Sequence, residues 1–203
     1  MARPRKFDES TVLKAARQQF WRTGYAATSM ADLCEATGVA SQSLYGAFGS
    51  KHGLFVKSLR DYCEQQVNGL QADQESAESA WEWLMAAVTF GDSGRLGLTE
   101  DGCYLSGSAA ALARQDDDVS EAARRTYDRI IAVFTTALQR ARAAGEIRSD
   151  TDIEKAALSL LAAMQGIEFL RKSGIDDAQF QEAKAGIVDT VSRAYGANRA
   201  TRG

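Results

Sequence analysis

The sequence predicts an all-α protein of about nine helices. Apolar residues recur at helical spacing along most of the 203 residues, and no segment shows the alternation of a strand. The one proline, Pro4, precedes the first predicted helix. No low-complexity tract or internal repeat interrupts the pattern. The length allows one or two domains with a real core.

The first three predicted helices are short and marked by capping signals. Helix one spans Asp8 to Thr23, has an apolar face and stops at Gly24. Ser29 starts the second helix with Asp32 three residues on, which is a short capping box, and Gly38 ends it.

The third helix follows that turn after two residues. Ser41 is expected to cap it, and its body is Gln42–Ala47. Leu44 and Phe48 point inward, so its small and polar face is left free. A helix-turn-helix needs this asymmetry, because its recognition helix buries one side and lays the other in a major groove.

The segment GVASQSLYGAFGSKHGLF resembles the AcrR-like helix-turn-helix of the TetR family of bacterial transcriptional regulators, and the resemblance is specific over residues 8–57. It implies phosphate contacts from Ser29, Tyr45 and Lys51. It also places Ser41, Gln42, Ser43 and Gly46 nearest the bases, where the Gln42 amide matches adenine. Gly46 and Ala47 depart from the larger side chains usual in the family, which leaves the sequence preference open.

Charge is divided unevenly along the chain. Residues 1–60 hold nine Lys or Arg against four Asp or Glu, a net of +5, whereas the whole chain is −3. This split predicts a polyanion-binding end on an acidic molecule and disfavours a helical hairpin that merely packs. The arm with Arg3, Arg5 and Lys6 is either a minor-groove contact or a solubilising tail.

The rest of the chain predicts a helical body, residues 51–203, behind a DNA-binding domain of residues 1–50. Helix four runs from Lys51 to about Gln71 without an evident flexible linker. Gly91–Gly102 is expected to form a mobile loop. The other predicted helices are Ser76–Phe90, Tyr104–Ala113, Asp118–Ala144, Asp152–Lys172 and Asp176–Gly196.

The eighth predicted helix carries two apolar stripes, one with Leu160, Met164 and Ile167 and another with Leu158, Leu161 and Ala162. Two stripes need two partners, which favours a homodimer over a monomer with a central core helix. The predicted four-helix interface contains Leu158, Leu161, Ala183, Ile187, Val191 and Ala194.

The resemblance also implies a small-molecule effector cavity inside the body. An ordinary core is the alternative for each of its residues. The predicted pocket residues are Trp81, Met85, Cys103, Tyr104, Tyr127, Ile131, Phe134 and Met164.

Cys103 is a more specific candidate for a residue that senses a signal, because it precedes a predicted helix start that would stabilise a thiolate. GCYLSGSAA resembles a TetR subgroup in which a cysteine senses reactive chlorine species or electrophiles. A small buried hydrophobe is the other interpretation, and it is the one preferred for Cys34 and Cys63.

Catalytic, metal and cofactor sites are not predicted. His52 is the one histidine, and no zinc or nucleophile motif is present. Asp116, Asp117 and Asp118 are interpreted as charges at a helix start that do not converge on a cation. Dispersed cysteines and the lack of a signal or membrane span predict a cytoplasmic protein.

The sequence thus predicts a homodimeric repressor that an effector releases from a pseudo-palindromic operator. Activation in place of repression stays open, as does a redox switch at Cys103. The alternative of another class is an enzyme or interaction protein on a borrowed TetR-like fold.

Overall fold

The computed structural model describes residues 7–89 and 102–197, and these residues form nine α-helices, which confirms the predicted all-α class. An isolated antiparallel bridge joins Ile147 to Gly196. The predicted loop over Gly91–Gly102 lies outside the described residues except for Gly102. The helices are α1 (Glu9–Thr23), α2 (Met30–Thr37), α3 (Ser41–Phe48), α4 (Lys51–Ser76), α5 (Ala80–Thr89), α6 (Tyr104–Leu112), α7 (Asp117–Ala143), α8 (Ile153–Lys172) and α9 (Asp177–Tyr195).

Capping signals set the helix ends that the sequence predicts most clearly. The Asp8 carboxylate accepts the Thr11 N–H at 2.8 Å and caps α1. Ser29 and Asp32 form the reciprocal capping box of α2. Gly38 ends α2 at a φ of 67°, a left-handed conformation that glycine adopts without steric cost.

Several helix ends differ from the sequence prediction, and α5 begins at Ala80 where the sequence predicted Ser76. Ser41 does not cap α3, because the helix begins one residue earlier than predicted and Ala40 takes the capping position without a side-chain bond. The Ala40 carbonyl instead accepts the Ser43 and Leu44 N–H groups. α4 continues beyond Gln71 to Ser76, since no glycine or proline stops it there.

The chain divides into two compact units, which we call the head and the body. Met1–Gln65 and Tyr104–Ala123 belong to the head, and Gln66–Cys103 and Arg124–Gly203 belong to the body. The boundary predicted after residue 50 coincides with the start of α4. The division by contacts instead assigns the first 15 residues of α4, and all of α6, to the head.

An aromatic core holds the head together. Phe20 and Phe55 are buried with their rings edge to face, 5.2 Å apart. The Tyr104 ring of α6 lies 5.6 Å from that of Trp21 and 5.7 Å from that of Tyr62. Burial raises the pKa of Tyr104 well above its usual range, so its hydroxyl stays protonated at any physiological pH.

The body has a separate, mainly aliphatic core, to which α4, α5, α7, α8 and α9 all contribute side chains. Within the described part of the chain, no helix is long and apolar enough to cross a membrane. The largest fully buried side chains of this core are Phe134, Leu84, Leu138, Leu160 and Ile167.

Candidate DNA interface

α3 presents a polar face to solvent. Leu44 is only 1% exposed and fixes the buried side of the helix. The next residue, Tyr45, has a side chain that is 47% exposed. The structure brings the predicted base-contacting residues together on this exposed surface, which consists of Ser41, Gln42, Ser43 and Gly46.

Gly46 leaves open space on this face. A Cβ atom built there meets no atom within 4 Å. Gly53, in the first turn of α4, is the opposite case, since a Cβ atom would lie 2.1 Å from the Phe48 carbonyl oxygen. Gly53 therefore allows α4 to follow α3 closely, a role that the sequence analysis missed and that a glycine inside a helical pattern signals.

Ser29 and Lys51, both predicted to bind phosphate, already have partners inside the head. The Ser29 hydroxyl donates to Asp32 at 2.7 Å while remaining exposed. Lys51 Nζ donates to the carbonyl oxygens of Tyr25 at 3.0 Å and Thr28 at 2.8 Å. Because an ammonium has three donors, one N–H of Lys51 remains beyond these two bonds.

Thr28, which was not among the predicted residues, stabilises the turn between α1 and α2. The side chain is 1% exposed, and its hydroxyl donates to the Gly24 carbonyl at 2.7 Å. The Thr28 oxygen also lies 2.7 Å from Thr23 Oγ1. A buried hydroxyl requires such partners, but an isolated threonine in a loop sequence gives no signal of them.

Several basic residues of the head are paired with acids. Lys57 pairs with Glu9 and lies over the Phe48 ring. Arg17 lies 3.6 Å from Asp61. Part of the positive charge is therefore used within the head. The predicted arm residues Arg3, Arg5 and Lys6 lie outside the described residues.

His52 joins the start of α4 to the start of α7 within the head. Its Nε2 atom lies 2.9 Å from Asp116 Oδ2. Burial, and then the charge of Asp116, raise the pKa of the neighbouring Tyr25. Asp118 is also close, so two acids of the run converge on His52. The run of three acids gives no sign of this proximity, because the histidine stands 64 residues earlier in the sequence.

The residues predicted to form an effector pocket fall in both units. Phe134 and Met164 are buried in the core of the body, and Tyr104 belongs to the head. Cys103 is half-buried, and its N–H donates to the buried carboxylate of Glu168. The remaining four pack against the body core and are half-buried, namely Trp81, Met85, Tyr127 and Ile131.

An open groove of about 240 Å³ lies between α4 and α7 in the body. It shares no residue with the predicted pocket. Gln74 is 2% exposed, and its Nε2 atom has no hydrogen-bond partner among the described residues. The groove is lined by Val67, Gln71, Gln74, Glu75, Arg129, Ala132, Val133 and Thr136.

The two stripes of α8 meet different surroundings. Leu160, Met164 and Ile167 are buried in the body core. Leu158 is 56% exposed, and Phe169 on the same side of the helix is 70% exposed. Phe169 was not in the predicted interface, although its spacing of eleven residues from Leu158 is a helical signal for it.

The predicted interface residues of α9 largely face their own core. Val191 is buried there, and Ala183 and Ile187 pack against it. Ala194 is exposed, and Leu161 of α8 is half-buried.

Comparison with protein families identifies both parts of the chain. Residues 12–57 match "Bacterial regulatory proteins, tetR family", and residues 90–187 match "Tetracyclin repressor-like, C-terminal domain". The HTH-type transcriptional repressor ComR of Escherichia coli is 30% identical over 176 residues, covering 85% of this chain and 83% of that protein. The chain belongs to the TetR family. As a member of this family, it is a DNA-binding transcriptional regulator. The family consists of regulators and not of enzymes.

Other relatives agree with this membership. The uncharacterised HTH-type transcriptional regulator YezE of Bacillus subtilis is 29% identical, covering 90% of this chain and 95% of that protein. A cysteine mutant of the TetR family regulator CifR, solved with 26-bp double-strand operator DNA, is 28% identical with a TM-score of 0.76. The similarity covers 96% of this chain and 100% of that one.

Proposed function

We propose that this TetR family member is a homodimeric repressor that holds a pseudo-palindromic operator through α3 and releases it when an effector binds the body. The observation that carries the proposal is the exposed polar face of α3 opposite the buried Leu44. Two similar proteins, ComR and CifR, are respectively a named repressor and a regulator solved with operator DNA.

DNA recognition requires that α3 meet base edges in a major groove. Gln42 is exposed at the second position of α3, and its amide offers one donor and one acceptor to adenine. Tyr45 supplies a phosphate contact, and the exposed Ser29 hydroxyl supplies another when it exchanges its bond to Asp32 for one to a phosphate oxygen. Such contacts fix register without reading sequence. The remaining Lys51 N–H adds a further donor.

The exposed stripe of α8 supports dimerisation. Leu158, Ala162 and Phe169 lie on one side of the helix and are exposed in the protomer. An isologous contact would bury this stripe against its copy. Two heads related by a twofold axis would then read half-sites about 34–36 Å apart.

Release is a population shift between two conformers. An effector that binds the conformer unsuited to DNA more tightly by about 1–3 kcal/mol weakens operator binding roughly 5–150-fold. The half-buried Trp81, Met85, Tyr127 and Ile131 support an apolar, aromatic-lined site for it.

The first test measures affinity for the DNA that flanks the protein's own gene, at two salt concentrations and against an unrelated duplex. Specific binding that resists competitor DNA is expected, with a salt slope that reports phosphate contacts. Gln42→Ala is expected to lose about 1–3 kcal/mol of binding free energy. Equal and weak binding to both duplexes would contradict a local operator.

A matched glutamine gives the control. Gln139 is exposed on α7 in the body. Gln139→Ala is expected to bind operator as the wild type does. A comparable loss in both variants would show that the effect of Gln42→Ala is not a base contact.

A thiol switch at Cys103 is the second candidate for the signal. Cys103 is half-buried and bound through its N–H to Glu168, which also accepts from Arg171 at 3.0 Å, whereas Cys63 is buried. A peroxide would oxidise the thiol to a sulfenic acid with release of water. Added bulk and polarity would then disturb the contact with Glu168.

Two cysteine variants separate this candidate from a bound effector. Cys103→Ser is expected to keep operator affinity and lose release by peroxide. Cys34→Ser, which alters the half-buried cysteine of the head, should remain peroxide-sensitive. Peroxide release that survives in Cys103→Ser would eliminate the switch.

A further inference from the structure

Three side chains of the head have the composition of a metal site. The ligand atoms of His52, Asp116 and Asp118 all lie within 4.8 Å of one another. The residues come from two elements, since His52 lies in the first turn of α4 and the acids lie at the start of α7. A divalent ion would therefore bridge two helices of the head.

Each of the three side chains is held by a neighbouring group. Asp116 uses Oδ1 to accept the Val119 N–H at 3.2 Å, which leaves Oδ2 toward His52. Arg60 donates to Asp118 Oδ1 at 2.7 Å, so the second carboxylate oxygen remains as a ligand atom.

The Tyr25 ring packs edge-on against the imidazole, with centroids 6.3 Å apart. Carboxylates and histidines that bind metals are ordinarily oriented by such surrounding groups.

The donor set selects the class of ion. Imidazole nitrogen favours zinc and its transition-metal neighbours, whereas magnesium and calcium prefer sites made of oxygen alone. Three protein ligands of mixed nitrogen and oxygen type leave a fourth position for water in tetrahedral zinc. The carboxylates also compensate the charge of the ion.

We infer that His52, Asp116 and Asp118 bind a divalent transition-metal ion, with zinc as the fitting example. The ion replaces the direct contact between His52 and Asp116 and ties the start of α4 to the start of α7. The neighbouring Lys51 bonds the carbonyl oxygens of Tyr25 and Thr28. Because Lys51 adjoins His52 in the first turn of α4, an ion that fixes this turn also holds the segment that leads into α2.

Titration of the reduced protein with Zn²⁺ in the absence of DNA tests the site. The wild type is expected to bind one ion per chain with saturation, and its melting temperature should rise with Zn²⁺ concentration. His52→Gln and Asp118→Asn should each lose this binding and the thermal shift. Asp117→Asn is the matched control, since Asp117 lies between the two acids and outside the cluster.

Cobalt distinguishes this site from the cysteines. Co²⁺ bound here should give visible bands without the near-ultraviolet charge transfer of a thiolate ligand. Circular dichroism verifies that each variant is folded. The site would be overturned if the wild type bound no ion, if His52→Gln bound equally well, or if the spectrum showed a thiolate ligand. Operator binding by these variants, measured without metal, should equal that of the wild type.

Discussion

In the head, the residues of α3 predicted to contact DNA are exposed to solvent, whereas in the body the residues predicted to contact an effector are buried or half-buried. Ser41, Gln42 and Tyr45 are exposed on α3. Phe134 and Met164 lie inside the body core. A polar residue on the exposed side of a short helix has few structural roles, so a binding role can be predicted for it from sequence. An apolar residue inside a helical bundle already has a structural role in the core, so its sequence pattern does not show whether it also binds a ligand.

One buried polar group from each region illustrates two kinds of partner. In the head, the buried Thr28 hydroxyl donates to a neutral group, the Gly24 carbonyl. The body buries a carboxylate, Glu168, which accepts from the Cys103 N–H and from Arg171. Removal of a charged partner costs more stability than removal of a neutral one. Substitutions of such groups should therefore differ in the size of their effect on the free energy of unfolding.

The largest effect is expected in the body. Glu168→Ala removes the buried carboxylate that accepts from the Cys103 N–H and from Arg171, which should lower the free energy of unfolding by about 3 kcal/mol. Urea denaturation measures it. Glu182→Ala, an exposed acid on α9, should change stability by less than about 0.5 kcal/mol. Similar values for the two variants would show that the buried Glu168 carboxylate contributes no more to stability than an exposed acid.

Two glycines of the head should respond in opposite directions. Gly53→Ala places a Cβ atom against the Phe48 carbonyl and should cost about 1–3 kcal/mol of stability. Gly46→Ala meets open space and should gain up to about 1 kcal/mol from helix propensity. Urea denaturation of both variants tests this, and a destabilised Gly46→Ala would show that the face of α3 is not open.

Ser29 tests whether one residue has both a structural and a binding role. Ser29→Ala should lower stability by about 1 kcal/mol through loss of the α2 cap. Operator affinity should fall as well if the hydroxyl contacts phosphate. Ser29→Thr, which preserves the capping hydroxyl, should retain both stability and operator affinity. Unchanged affinity in both variants would limit Ser29 to capping.

The smallest effect concerns acid stability. Hydrogen bonds from Thr11 and Ser10 lower the pKa of Asp8 to about 2 in the folded protein. The contribution is present above the unfolded value near 4 and is lost as pH falls from about 4 through 2. Asp8→Asn should therefore have a flatter stability profile over that window, as thermal melts at several pH values would reveal. An identical profile would exclude the carboxylate as its source.

The sequence by itself determined the helical class, the caps of α2 and the polar face of α3, because these depend on residues within a few positions of one another. Ser29, Asp32 and Gly38 specify their turn locally. The apolar spacing of α8 likewise indicated two faces. Both short-range hydrogen bonding and helical periodicity can be recognised from the order of residues along the chain.

Only the tertiary structure decided which groups meet across long sequence separations. It brought Asp116 to His52, gave Lys51 its carbonyl partners, and placed Glu168 beside the Cys103 N–H. It also decided that Leu160 is buried while Leu158 is exposed. These outcomes depend on packing between helices, and periodicity cannot assign a partner to a face or a charge.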